Sequence, residues 1–106
     1  MSLRLAHGFG PRLRGLHAWP AWGDQPWGLV FRRCKAVHTG GLAQPLDVVF
    51  VDARGGVVRC VPSLAPNRLV WCGRAEAVIE LPAAYCGQSG WRARIQLAWA
   101  SLNMVA

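Results

Sequence analysis

The side chains of this chain that could move a proton, attack a carbonyl or hold an ion are few and widely spaced. His38, Asp47, Asp52 and Glu80 are titratable groups set in or beside apolar runs, and Cys34 stands four residues before His38. A general acid/base pair needs two such groups held close together with separated pKa values, and Asp47 with Glu80 would form one if their strands were neighbours. With His38 added, the three make the candidate catalytic set of a small hydrolase. Each also has a structural use. Asp47 can cap the turn after Pro45, Asp52 can open a hairpin turn, and Glu80 can pair with an arginine. The structural use is preferred for these acids, because carboxylates that accept backbone N–H bonds are common and catalytic ones rare. His38 ends a strand before Thr39-Gly40-Gly41, and no other histidine lies in the strand region to join it. A hydrogen-bonded structural histidine is therefore expected there.

The four cysteines, Cys34, Cys60, Cys72 and Cys86, are separated by 26, 12 and 14 positions. None forms the close pair that a zinc site needs on a tight turn, so no metal is expected. Cys34 and His38, four apart on an extended segment, lie about 13 Å from each other and can neither chelate one ion nor act as nucleophile and base. Free thiols packed as small hydrophobes are the expected state. Should disulfides form, four cysteines allow three complete pairings, among which spacing does not choose. No phosphate-binding loop or cofactor motif is present, and no cofactor is expected.

These residues must be positioned by short strands. Leu29-Val30-Phe31-Arg32 and Lys35-Ala36-Val37-His38 have strand character, and residues 46–52 with 57–61 form a hairpin around Asp52-Ala53-Arg54-Gly55-Gly56. Pro62 and Pro66 bracket a loop, since proline donates nothing to a ladder. Leu69-Val70-Trp71-Cys72 and residues 75–81 make two more strands, and the alternation over residues 92–99 reads as a last one. Ala83-Ala84-Tyr85-Cys86 reads as one helical turn, and residues 12–19 as a short helical cap stopped by Pro20. Six or seven short strands without intervening long helices predict a mainly β domain, a small β-sandwich or barrel with a short N-terminal helical cap. The 106 residues make a single domain, with 1–11 as an extension, 12–99 as the β domain and 100–106 as a frayed tail.

Composition limits the partners. Eleven arginines and one lysine against five acids leave a net charge of +7, which attracts polyanions such as nucleic acid or an anionic surface weakly and without sequence preference. The arginines are scattered, and no nucleic-acid-binding module is recognisable. Six tryptophans are many for this length, and Trp19, Trp22 and Trp27, in or near a loop, are the candidates for stacking on a ligand. No apolar run is long enough for a membrane span or a signal peptide, so a soluble, cytoplasmic monomer is expected.

Gly28-Leu29-Val30-Phe31, Val37-His38-Thr39, Gly41-Leu42, the run from Leu46 to Asp52, Gly56-Val57-Val58 and Val78-Ile79-Glu80-Leu81-Pro82 occur in an order that resembles the family catalogued as domain of unknown function 192. The resemblance covers about residues 12–98, and Arg14-Gly15-Leu16 is similar to that family's amino-terminal element. It implies a sandwich-like β domain with short helices, and no established activity, substrate or cofactor. The chain departs from the pattern at Gly40, often an aromatic in the family, at Leu42, usually methionine, and at Ala84, generally glycine.

Together these features favour a non-catalytic binding or accessory domain contacting a protein or carbohydrate-like ligand. The alternatives are a small hydrolase using His38, Asp47 and Glu80, and electrostatic attachment to nucleic acid or an anionic surface.

Overall fold

The β-branched runs and turn residues fold into seven strands and a long helix in the computed structural model, which describes residues 2–5, 27–39 and 45–105. In chain order these are β1 (Ser2–Leu5), β2 (Trp27–Arg32), β3 (Ala36–His38), β4 (Leu46–Val51), β5 (Val57–Leu64), β6 (Leu69–Trp71), β7 (Ala77–Pro82), a 3₁₀ turn (Tyr85–Gly87) and α1 (Trp91–Val105). Five strands form one sheet in the order β1-β2-β7-β4-β5, and β3 and β6 form a separate two-stranded sheet. All pairings are antiparallel except that of β1 with β2.

The large sheet is apolar on both faces, as the nearly continuous hydrophobic run of β4 requires: Leu46 to Val51 is buried at every position. On one face Leu29, Phe31, Leu46, Val48, Phe50 and Val78 pack against Val37, Val70, Cys34 and Cys72 of the small sheet and its ends. On the other, Val30, Val49, Val51, Ile79 and Leu81 pack against Tyr85 of the 3₁₀ turn and Ile95 and Trp99 of α1. The fold is thus three layers: small sheet, large sheet, helix.

The β4–β5 hairpin turns as its residues dictate. The Asp52 carboxylate accepts N–H bonds from Arg54 and Gly56, both at 2.9 Å, and Gly55 takes the positive φ of 83°. Gly55 also has no room for a side chain, since a Cβ there would lie 2.6 Å from Trp99 Cγ.

The structure departs from the sequence reading in several places. Residues 92–99 are helical, within α1, where a strand was expected. Trp91, Ile95, Trp99 and Leu102 repeat at helical spacing and form the stripe that meets the sheet, whereas Leu97, which a strand would place with Ile95 and Trp99, is 72% exposed. No glycine or proline interrupts 91–105, and burial of Ile95 alone contributes about 1.5–3 kcal/mol. The described helix is therefore C-terminal. The expected N-terminal cap, residues 12–19, lies outside the described residues. Residues 100–105, expected as a tail, continue α1, and Ser2–Leu5, expected as part of an extension, is the edge strand beside β2.

β5 runs on through Pro62 to Leu64 instead of ending at Val61. β5 is the edge of the sheet and Pro62 falls at an irregularity of its pairing with β4, the two settings in which a sheet tolerates proline. Between the pairs Leu46↔Leu64 and Val48↔Val61 two residues of β5 oppose the single Asp47, a bulge in which Ser63 adopts φ 51°.

Candidate functional site

The strand registers decide whether His38, Asp47 and Glu80 meet. Asp47 is paired with Leu81 and Glu80 with Val48 on the neighbouring strands β4 and β7. Residues opposite one another share a face, so Asp47 lies on the helix side with Leu81, and Glu80 lies on the small-sheet side with Val48. The two carboxyl groups are on opposite faces of one sheet. His38 stands elsewhere, exposed on β3 and paired with Leu69. A hydrolase site would need all three within hydrogen-bond reach, directly or through one water, and the fold separates them.

Asp47 is wholly buried, and its carboxylate is fully used. Oδ1 accepts the N–H of Ser63 at 2.8 Å and of Ala84 at 3.2 Å, and Oδ2 accepts the N–H of Cys86 at 2.8 Å. This is a structural clamp, though not on the turn after Pro45 as the spacing had implied: it fastens the β5 bulge and the 3₁₀ turn to β4. Two of the three residues it holds, Ser63 and Ala84, have the positive φ values 51° and 70° that favour glycine. At Ala84 this is the position where the family pattern described above has glycine.

Thr39 performs the same service on the other side. Its buried Oγ1 donates to the carbonyl of Ala65 at 2.8 Å and accepts the N–H of Arg68 at 2.8 Å, tying the end of β3 to the β5–β6 connection. Lys35 reaches across to the carbonyls of Gly73 (2.9 Å) and Ala75 (2.7 Å), closing the turn between β6 and β7.

With these polar groups engaged in structure, the surface of the small sheet becomes the chemically distinctive feature. Val37 and Val70 face the core, so Ala36, His38, Leu69 and Trp71 project from the other side, cross-paired as Ala36↔Trp71 and His38↔Leu69. Leu69 is 68% exposed and Trp71 63% exposed. Arg59 lies across the edge of β6 and donates to the carbonyl of Trp71 at 2.8 Å, while exposed Arg68 and Arg74 precede and follow the strand. Residues 35–39 and 57–75, which build this surface, contain no aspartate or glutamate. The result is an apolar platform with positive charge of one sign around it. A cleft of about 400 Å³ at the C-terminal end of β2, lined by Arg32, Arg33, Ala53, Glu76, Ala77 and Trp99, is of mixed charge, and Arg32 there lies over the Trp99 ring at 5.6 Å.

Of the tryptophans singled out from sequence, Trp19 and Trp22 lie outside the described residues. Trp27 opens β2, and its side chain is likewise outside them. Among the described residues the exposed aromatic is Trp71, which sequence reasoning assigned only to a strand. The signal for it was the alternation Leu69-Val70-Trp71: one inward valine places its two neighbours outward together. Trp99 and Trp91 pack in or against the core cluster under α1.

Among the described residues no three His, Cys, Asp or Glu side chains gather as they would around a metal ion. No helix among them is long and apolar enough to cross a membrane.

No family model matches the chain, and no curated protein matches it in sequence. The resemblance to domain of unknown function 192 therefore rests on the residues quoted for it. Solved structures do share the fold. A protein of unknown function from Novosphingobium aromaticivorans DSM 12444 matches with a TM-score of 0.67 at 22% identity, over 80% of this chain and 65% of that one. A protein provisionally described as a transcription regulator, from Sinorhizobium meliloti 1021, matches with a TM-score of 0.65 at 20% identity, over 83% of this chain and 73% of that one. The chain thus spans just under two thirds of the first neighbour's length. At these identities the likeness is one of fold.

Proposed function

We propose that this chain is a non-catalytic binding domain whose small sheet docks a protein segment carrying apolar anchors and acidic side chains. The observation that carries the proposal is the pairing of exposed Trp71 and Leu69 on one face with Arg59, Arg68 and Arg74 around them and no acid in the segments that build it. Tryptophan and arginine are the residues most often responsible for binding energy at interfaces, and charge of one sign selects a partner of the other. Among the described residues a single exposed tryptophan stands beside a leucine, which suits an apolar side chain better than a run of stacked bases, since that calls for several aromatic platforms. Membership of the family catalogued as domain of unknown function 192 is part of the same proposal, supported by the quoted motifs and by the left-handed backbone at Ala84; it adds no activity.

The experiment is selection from a displayed random-peptide library against the wild-type chain, followed by affinity measurements on the enriched peptides. Enrichment of peptides combining Asp or Glu with aromatic or large aliphatic residues is expected, and Trp71→Ala should weaken them about ten-fold or more, a loss of roughly 1.4 kcal/mol. Doubling the salt should weaken them further. Enrichment of basic or purely polar peptides, or affinity indifferent to Trp71→Ala, would overturn the proposal. So would tighter, Trp71-dependent binding of a DNA duplex or oligonucleotide, the outcome that the provisional description of the second structural neighbour and the net charge of +7 would favour.

A further inference from the structure

Cys60 and Cys86 are 26 residues apart in the chain, and the fold brings their side chains onto the same apolar cluster. Three features place them together. Cys60 is paired with Val49 and so points to the helix-side face. Cys86 lies in the 3₁₀ turn, its N–H held at 2.8 Å by Asp47 Oδ2, while Asp47 Oδ1 holds the N–H of Ser63, three residues beyond Cys60. Both cysteines are half-buried against the same apolar cluster. Cys34 and Cys72 are buried in the cluster on the other side of the sheet, where the Cys34 thiol donates to the carbonyl of Ala36 at 3.0 Å. Of the three complete pairings open to four cysteines, one alone keeps both members of each pair on a common face.

We infer that Cys60 and Cys86 are a dithiol modification site that closes to an intramolecular disulfide by exchange with a low-molecular-weight disulfide such as oxidised glutathione. Cys60 loses its proton to solvent, and its thiolate attacks one sulfur of the small disulfide, forming a mixed disulfide and expelling one small thiolate, which is protonated. Cys86 then loses its proton and attacks Sγ of Cys60, forming the Cys60–Cys86 bond and releasing the second small thiol. The protein dithiol is oxidised by two electrons and the small disulfide reduced by two. The order follows from the environments. Burial raises both thiols; at Cys60 the neighbouring Cys86 thiol offsets part of this, Asp47 adds to it and the Arg92 guanidinium takes some away, leaving Cys60 raised. Cys86 is pushed well above its ordinary range by burial first, then by Cys60 and Asp47, and holds its proton longer.

The test is incubation of the reduced, full chain in oxidised and reduced glutathione, followed by acid quench, alkylation and peptide mapping by mass spectrometry. Expected is loss of two hydrogens mapping to Cys60 and Cys86, with Cys34 and Cys72 still open to alkylation after unfolding. Cys86→Ser should stop at a glutathione adduct on Cys60, and Cys60→Ser should give neither product at the same oxidant ratio and time. Thermal melts establish that each variant is folded, with Cys60→Ala and Cys86→Ala replacing any serine variant that is not. Persistent adducts without ring closure in the wild type, a bond between Cys34 and Cys72 formed first, or four free thiols at strongly oxidising ratios would each overturn the inference.

Discussion

Replacing Asp47 by asparagine should lower stability by about 3–5 kcal/mol, through changes at a few atoms whose partners are known. The asparagine carbonyl can take the place of Oδ1 and keep the N–H bonds of Ser63 and Ala84. Its amide group then replaces Oδ2 and faces the N–H of Cys86, donor against donor, where a 2.8 Å bond had been. Leaving that buried N–H unpaired costs about 1–3 kcal/mol, and each retained bond loses about 1 kcal/mol as its acceptor changes from a charged group to a neutral one. Against a typical domain stability of about 5–15 kcal/mol the protein should stay folded at room temperature, with a melting point lowered by on the order of 20 °C. Equilibrium urea denaturation followed by circular dichroism measures the loss. Amide hydrogen exchange should place it, because Ser63 and Ala84 are held at positive φ and should relax first: protection should fall at Ser63, Ala84 and Cys86 more than along β2 or β7. A loss below about 1 kcal/mol, or exchange that rises evenly over the sheet, would refute the clamp as the reason this aspartate is buried.

Two further outcomes follow from the same geometry. Gly55→Ala should destabilise by about 2 kcal/mol or more, read from the denaturation midpoint, because the new Cβ meets Trp99 Cγ at 2.6 Å and the φ of 83° disfavours any side chain; Gly87→Ala, where nothing lies within 4 Å of a Cβ, serves as the mild control. Stability should also fall as pH rises above the ordinary thiol value of 9.0. Cys86 and Cys60 are raised in the folded state, chiefly by burial, so above that value the unfolded chain releases protons that the native state retains; the stabilisation is complete below it and is lost as pH climbs. Denaturation midpoints taken from about pH 7 to about pH 10.5 should show a steeper decline for the wild type than for Cys86→Ala, and parallel declines would remove the thiols as its source.

Much of this fold is written locally in the chain. β-branched and aromatic runs bounded by glycine and proline identify β2 to β7, and Asp52 with Gly55 specifies the β4–β5 turn, because pleat period and turn chemistry act over a few residues. Within α1 the local sequence points the other way. Arg92-Ala93-Arg94-Ile95-Gln96-Leu97 satisfies a two-residue alternation, and only the sheet waiting to be covered by Trp91, Ile95 and Trp99 selects the helical period.

What the residues can do was decided at longer range. Asp47 and Glu80 look like an acid pair until register puts them on opposite faces of adjacent strands, and a shift of one residue would have reversed that. Asp47 finds its partners 16, 37 and 39 residues away. By itself the sequence determined that these acids sit in strands of a small basic β domain. Tertiary structure alone decided that one clamps a bulge, that Cys60 meets Cys86, and that Trp71 faces outward among arginines, since each depends on which strand lies beside which and in what register.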